Sequence, residues 1–258
     1  MNVMEIEEAT RCAWPALEEV VLPFGVLRYA NGADRRTNSL SLYPNAKSDA
    51  IDLIGVTERF YKQRNAVPII RIVRSGRLLP TSLKAVDRAL AFRGYEKQSP
   101  TVSMLLDLTR IDKNTLHAVS ESIEVGELDS WLRGWYALTD KPLWGVDAHQ
   151  SMLKRLEPAQ LLLLNHVLGN TLLATGMGVL AGRSLGIFGI ATAAKHRNQG
   201  HATAVVCSLL QWALHRAAGY AYLQVEESNE AAIDLYRKIG FRKRYSYWYR
   251  VATHNVEN

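Results

Sequence analysis

Leu185-Gly186-Ile187-Phe188-Gly189-Ile190-Ala191-Thr192, then Ala193-Ala194-Lys195-His196-Arg197-Asn198-Gln199-Gly200-His201-Ala202-Thr203, is the stretch on which the fold turns. The first eight residues form an apolar run behind the turn-forming Gly182-Arg183-Ser184 and predict a strand. From Gly200 the period changes. Ala202, Val205, Val206, Leu209, Leu210, Ala213 and Leu214 recur at helical spacing, and Gly219 is expected to close that helix as a C-cap glycine. A helix start carries unpaired amides and about half a positive charge. A diphosphate satisfies both, provided no side chain blocks its approach. Gly200 and the small Ala202 leave that approach open, and Arg197 adds a full charge and a fork of donors.

Downstream, Tyr220–Glu226 predicts a strand. Asn229 suits an N-cap, Ala232, Ile233, Tyr236 and Ile239 form the inner face of a helix stopped by Gly240, and Tyr245–Val251 closes with another strand. Upstream, Gln160–Leu168 and Leu172–Leu180 make an antiparallel meander with Leu185–Thr192. Gly176-Met177-Gly178-Val179-Leu180-Ala181 formally matches the dinucleotide pattern Gly-x-Gly-x-x-Gly/Ala. That pattern must open a helix, whereas here it lies inside a strand, as a bulge or beside a ligand. Earlier still, a helix is expected over Glu5–Val21, strands over Phe24–Tyr29 and Asn38–Tyr43, and a helix over Ile51–Asn65. A strand at Ile69–Arg74, a helix at Ser82–Phe92 and a strand at Val102–Leu108 follow. The polar Thr109–Asn114 places a boundary, giving modules of residues 1–112 and 113–258. Leu116–Val125 then predicts a strand, Ser130–Leu138 a helix, and Leu153–Leu156 part of a short one.

Arg197-x-x-Gly200-x-Ala202 after a strand, followed by Asn229-x-x-Ala232-x-x-Leu235-Tyr236-x-Lys238-x-Gly240-Phe241, resembles the two hallmark motifs of the GNAT acetyltransferase superfamily. Ala13-Trp14-Pro15-Ala16-Leu17, Gly25-x-Leu27-Arg28-Tyr29, Arg36-x-Asn38-Ser39 and Arg93-Gly94-Tyr95 look like the leading half of a bacterial subgroup with a degenerate GNAT-like module ahead of the catalytic one. The resemblance implies an α+β fold (the α/β GNAT fold): a mixed, largely antiparallel sheet flanked by helices, two modules in tandem. It implies acetyl-CoA as co-substrate. Pantetheine would pair with the backbone of Ile190, Ala191 and Thr192, and the diphosphate would lie on Arg197, Asn198, Gln199, Gly200, His201, Ala202 and Thr203. Asn229 and Ala232 would meet the pantetheine region, and Tyr236 would stand at the thioester sulfur as proton donor. Glu226, at the end of its strand, is the candidate base, with ordered water as the alternative.

Composition separates the classes only coarsely. A formal charge of +6 and a pI near 9.3 suit a small polyanion as well as a nucleic acid. The one basic cluster, Arg237, Lys238, Arg242, Lys243 and Arg244, comes with no nucleic-acid-binding signature, so no nucleic-acid partner is expected. Two cysteines, no apolar run long enough to cross a bilayer and an acidic start unlike a secretory leader lead us to expect a cytoplasmic protein, monomer or homodimer. Cys207 flanks the helical stripe and reads as a packing residue. His196 and His201 are poorly spaced for a shared ion, and no metal is expected. Tyr236 alone would be a core aromatic, and Glu226 alone a solvated carboxylate. Arg36 and Asn38 either reach a substrate or brace a hairpin. The leading expectation is a transferase acting on a primary amine of a small molecule, an aminoglycoside-type antibiotic among the options. Its alternatives are a peptide or protein amine, or an acyl-CoA-binding sensor without turnover.

Overall fold

A computed structural model describes residues 1–46, 49–111, 116 and 122–253. It contains one sheet of eleven strands among the described residues: β1 (Glu18–Leu22), β2 (Gly25–Tyr29), β3 (Leu40–Leu42), β4 (Ile69–Arg74), β5 (Tyr95–Asp107), β6 (Ile123–Val125), β7 (Leu161–Leu168), β8 (Thr171–Ala181), β9 (Ser184–Thr192), β10 (Tyr220–Glu226) and β11 (Arg242–Ala252). Among the described residues seven α-helices flank it: α1 (Val3–Ala13), α2 (Ala50–Lys62), α3 (Thr81–Phe92), α4 (Leu128–Thr139), α5 (Val146–Leu153), α6 (His201–His215) and α7 (Glu230–Ile239).

The chain runs through one plan twice. Three antiparallel strands lead to a helix, a strand parallel to the third, another helix and a final strand. This describes β1 to β5 with α2 and α3, and again β7 to β11 with α6 and α7. The final strands cross over. The sheet order is β1-β2-β3-β4-β11-β5-β10-β9-β8-β7-β6, so β5 lies against β10 and β11 against β4. Each half thereby completes the sheet of the other, and β5 pairs with β11 at the centre.

Most predicted elements stand within a few residues. The helix expected over Glu5–Val21 is instead two elements. α1 ends at Ala13 because Pro15 disfavours helical geometry at Trp14 (ψ 71°), and Glu18–Leu22 turns back as β1 to pair with β2. Gly219 does not cap α6. The left-handed residue after that helix is Ala217 (φ 56°), while the Gly219 N–H donates to the Arg183 carbonyl. Of the strand expected over Leu116–Val125, Ile123–Val125 is extended among the described residues, and Leu116 is not. Residues 112–115 and 117–121 lie outside the described set. The short helix expected around Leu153–Leu156 ends at Leu153.

The glycine pair inside β8 serves packing. A Cβ on Gly176 would stand 2.4 Å from Val205 Cγ1 and 2.7 Å from Ile190 Cδ1, and one on Gly178 would stand 3.0 Å from Leu209 Cδ2. These bare positions let α6 press onto the sheet and bury Val205, Val206, Leu209 and Leu210. Gly176 is also the single residue opposite two on β9, so the expected bulge is there. Val205 is β-branched and cannot swing aside. Gly176→Ala is therefore expected to cost about 1–3 kcal/mol by overpacking, measured as a lower urea midpoint at unchanged slope.

The second face is held by polar groups that join the halves. Asp34, on the β2–β3 connection, accepts from Trp14 Nε1 (2.8 Å) and lies 3.0 Å from His149 Nε2. The other ring nitrogen of that histidine is 2.5 Å from the Tyr136 hydroxyl. Arg71 on β4 is paired with Glu7 of α1, which also accepts from the Tyr245 hydroxyl. Burial pushes the Glu7 carboxyl up, but the Arg71 charge and hydrogen bonds outweigh it and hold the group below its ordinary value. A depressed carboxylate stabilises the fold above its unfolded value of about 4.3, and that contribution disappears as pH falls through the lower folded value. Glu7→Gln leaves the Arg71 charge buried and should cost about 3 kcal/mol at pH 7. In urea titrations at pH 7 and pH 3, the gap between the variant and the parent should shrink on acidification.

Candidate active site

β9 and β10 begin as a parallel pair, with Tyr220 opposite Ser184 and Leu223 opposite Ile187. There the ladder stops. Gln224, Val225 and Glu226 continue only against β5, and Phe188 to Thr192 continue only against β8. The two strands therefore splay, leaving a wedge whose β9 flank has no ladder from Phe188 onward. The cause is local. Between Phe188 and Ala191, β9 carries one residue more than β8 can match, and Gly189 takes the left-handed turn of that bulge (φ 59°). A side chain there would also strike Trp131, 2.6 Å away. Unpaired backbone at the floor of a cleft is a surface for an extended, amide-bearing ligand.

The wedge opens toward the start of α6. Gly200 is its N-cap, at φ 85°, and makes no side-chain cap; the space beside its Cα is empty to 4 Å. The first turn of α6 thus presents amides to an exposed loop formed by Arg197, Asn198, Gln199 and Gly200. Asn198 takes positive φ (60°), a conformation asparagine tolerates better than most residues. The repeated plan supplies an internal contrast. The equivalent helix α2 starts at Asp49, whose carboxylate accepts from the Ile51 and Asp52 amides at 2.7 and 3.4 Å. In the leading half the anion position is filled by the chain itself, whereas in the trailing half it is bare.

α7 delivers the remaining candidates. Asn229 caps it as the sequence predicts, its Oδ1 accepting from the Ala232 amide at 3.1 Å, which leaves the Nδ2 group as the donor available to a ligand. Tyr236 lies on the inner face with its ring against Phe241, and burial raises its phenol to about 12. Its hydroxyl has no hydrogen-bond partner among the described residues. Glu226 is exposed at the end of β10. Side chains alternate along that strand, so Glu226 shares a face with Tyr222 and Gln224, opposite Ala221, Leu223 and Val225, which pack toward α6 and α7.

Residues 126–241 match the family model described as the acetyltransferase (GNAT) family. The chain carries a GNAT acetyltransferase domain. It is 25% identical to the uncharacterized N-acetyltransferase YobR of Bacillus subtilis, over 97% of this chain and 98% of that one. Among solved structures, a GCN5-related N-acetyltransferase from Kribbella flavida superposes with a TM-score of 0.72 at 14% identity, covering 98% of this chain and 97% of its own. A tandem GNAT protein from the clavulanic acid biosynthesis pathway gives 0.58 at 15% identity, covering 83% and 74%. The repeated strand plan is thus two GNAT-like modules in tandem, and the matched acetyltransferase region contains the splayed strands, the bare helix start and all of α7.

Within the GNAT domain, the residues singled out from sequence stand on the elements that border the parting of β9 and β10: Ile190, Ala191 and Thr192 on β9, Arg197 to Thr203 on the loop and first turn of α6, Asn229, Ala232 and Tyr236 at the cap and along α7, and Glu226 at the end of β10. His201 does not stand alone. Its ring lies 4.7 Å from that of His166 on β7 and 6.1 Å from that of His196. Cys207 is fully buried among the apolar residues of α6. Of the evenly weighed pair, Asn38 braces its hairpin: its Oδ1 accepts from the Ala30 and Gly32 amides, both at 2.9 Å. Arg36 instead reaches out of the hairpin, its guanidinium over Trp14 (5.6 Å) and over Phe188 of the GNAT domain (5.4 Å). Phe188 and Gln224 belong to the same face as Tyr247, and nothing in the local sequence singles them out. Only the point where the strands separate marks them out. No helix among the described residues is long and apolar enough to cross a membrane.

Proposed function

We propose that this protein transfers the acetyl group of acetyl-CoA to a primary amine of a small molecule, with residues 113–258 as the catalytic module and residues 1–112 as a module that binds no coenzyme. The observation that carries the reading is the uncapped start of α6 beside the separated strands, set against the Asp49-capped start of α2. In this reading the diphosphate lies on the Arg197–Thr203 turn, its charge met by Arg197 and the first amides of α6. Pantetheine extends along Ile190, Ala191 and Thr192, with Asn229 and Ala232 on its other side.

The amine must reach the thioester uncharged, so its ammonium proton passes to Glu226 or to water held there. Its nitrogen attacks the carbonyl carbon, and a β9 amide freed by the bulge steadies the oxyanion. Collapse breaks the C–S bond, the CoA thiolate takes the Tyr236 proton, and the second proton of the attacking nitrogen leaves as the amide forms, passing through water to restore the phenol. A phenol raised to about 12 by burial stays protonated at neutral pH and can serve as that donor. Calorimetry with acetyl-CoA, followed by CoA release over a panel of amino acids, polyamines and aminoglycosides, tests the proposal. Binding with turnover on a small amine supports it. Binding without turnover on any amine reassigns the protein as an acyl-CoA sensor, and turnover confined to peptide amines shifts the acceptor class.

A further inference from the structure

On the face of the sheet opposite α6 and α7, the buried donors without an acceptor include the Nε–H groups of Arg36 and Arg71, the Tyr222 hydroxyl and the Nε2 group of Gln224. The Oε1 of Gln224 is already taken by the Tyr247 hydroxyl at 3.0 Å. Arg28 and Arg71 on the same side of the molecule are each matched by a carboxylate, Glu19 and Glu7. Arg36 forms no ion pair among the described residues. Its planar head is clasped by Trp14 and Phe188, and the carboxylates of Asp34 and Glu7 act on its charge only from beyond ion-pair distance. Tyr247 and Tyr249 lie beside it, and Tyr247 connects it to Gln224. Phe188 and Gln224 are the first residues past the last rung between β9 and β10, so these donors sit at the throat of the proposed acetyl site.

Buried donors left unmatched are costly, and an arginine fork matches a carboxylate best. Resting on the transferase reading, we propose that the acceptor is an amine that also carries a carboxylate, an amino acid in the broad sense. Arg36 and Gln224 take its carboxylate while its amino group faces the thioester. Arg36 belongs to the leading module. That module therefore supplies acceptor recognition to a coenzyme site it does not itself contain, which gives the degenerate half a role.

The test compares the untouched protein on matched acceptors, phenylalanine against phenethylamine and methionine against 3-(methylthio)propylamine. The carboxylated member of each pair should have the higher kcat/KM by about 10²-fold or more, because a site built around unpaired polar groups rejects the analogue that leaves them unpaired. Arg36→Met should erase that preference chiefly through KM, with acetyl-CoA affinity unchanged, and Arg36→Lys should restore part of it. Equal or better turnover of the decarboxylated amines overturns the carboxylate inference and leaves the transferase standing. No CoA release with any amine, carboxylated or not, overturns both. Should Arg36→Met fail to fold, the substrate pairs on the parent protein decide alone.

Discussion

Gly200→Asp should abolish measurable acetyl-CoA binding, weakening it by at least about 10²-fold, while the protein keeps its fold. The substitution writes into α6 the feature that α2 already has. Asp49 shows what an acidic N-cap does in this architecture: its carboxylate takes the first amides for itself. Placed at 200, a carboxylate would occupy the amides a diphosphate needs and would add repulsion to two phosphates. A hydrogen bond to a charged phosphate oxygen is worth roughly 1.5–3 kcal/mol, so denying the ligand two of them suffices for the expected effect. The fold should tolerate the change. Positive φ at 200 costs an aspartate about 1–2 kcal/mol, capping returns about 1, and the space beside the Cα is open. Calorimetric titration alongside a urea melt separates the two effects. Weakened affinity with an unchanged midpoint is expected, and a collapsed midpoint would mean that Gly200 is needed for folding instead.

Tyr236→Phe should leave acetyl-CoA affinity within about twofold and lower kcat by about 10²–10³, the range typical of a general acid. The ring remains against Phe241, so only the hydroxyl is removed. The pH profile carries a second expectation. An acid must be protonated to act, and burial lifts this phenol to about 12. Between pH 7 and 10 the parent should therefore show no fall in kcat attributable to Tyr236. A variant as fast as the parent would pass the proton to water.

The trailing half is legible because its signals are local: a glycine-opened helix start, an asparagine cap at 229 and the two-residue turn Gly182-Arg183 each declare themselves within a few positions. The leading helix misleads for the opposite reason. Glu18, Glu19, Val20 and Val21 suit a helix as well as a strand, and only Pro15 together with pairing to β2 decides between them. The exchange of β5 and β11 leaves no trace in either segment, since which distant strand a segment pairs with is settled by the assembled sheet. The same holds for the acceptor face. Arg36 and Phe188 are 152 positions apart, and nothing in either neighbourhood announces that one ring will lie under the other's guanidinium. Asp34 and His149 meet by the same long-range assembly.

The crossing of final strands also bears on function. Because β5 stands beside β10, the leading module forms one side of the strand that carries Gln224 and Glu226. Separating the halves at the polar connection would expose that edge. A coenzyme-binding fragment confined to the trailing half would then lack both the Arg36 side chain and a neighbour for β10.

The central claim is that the bare amides at the head of α6 receive a pyrophosphate while the parted strands β9 and β10 receive the arm behind it. A crystal structure with acetyl-CoA tests this most directly. The expected result is a diphosphate within hydrogen-bonding distance of the backbone between Arg197 and Thr203, with the thioester between Phe188 and Gln224. A coenzyme seated against α2, or anywhere that leaves the wedge closed, would contradict the account.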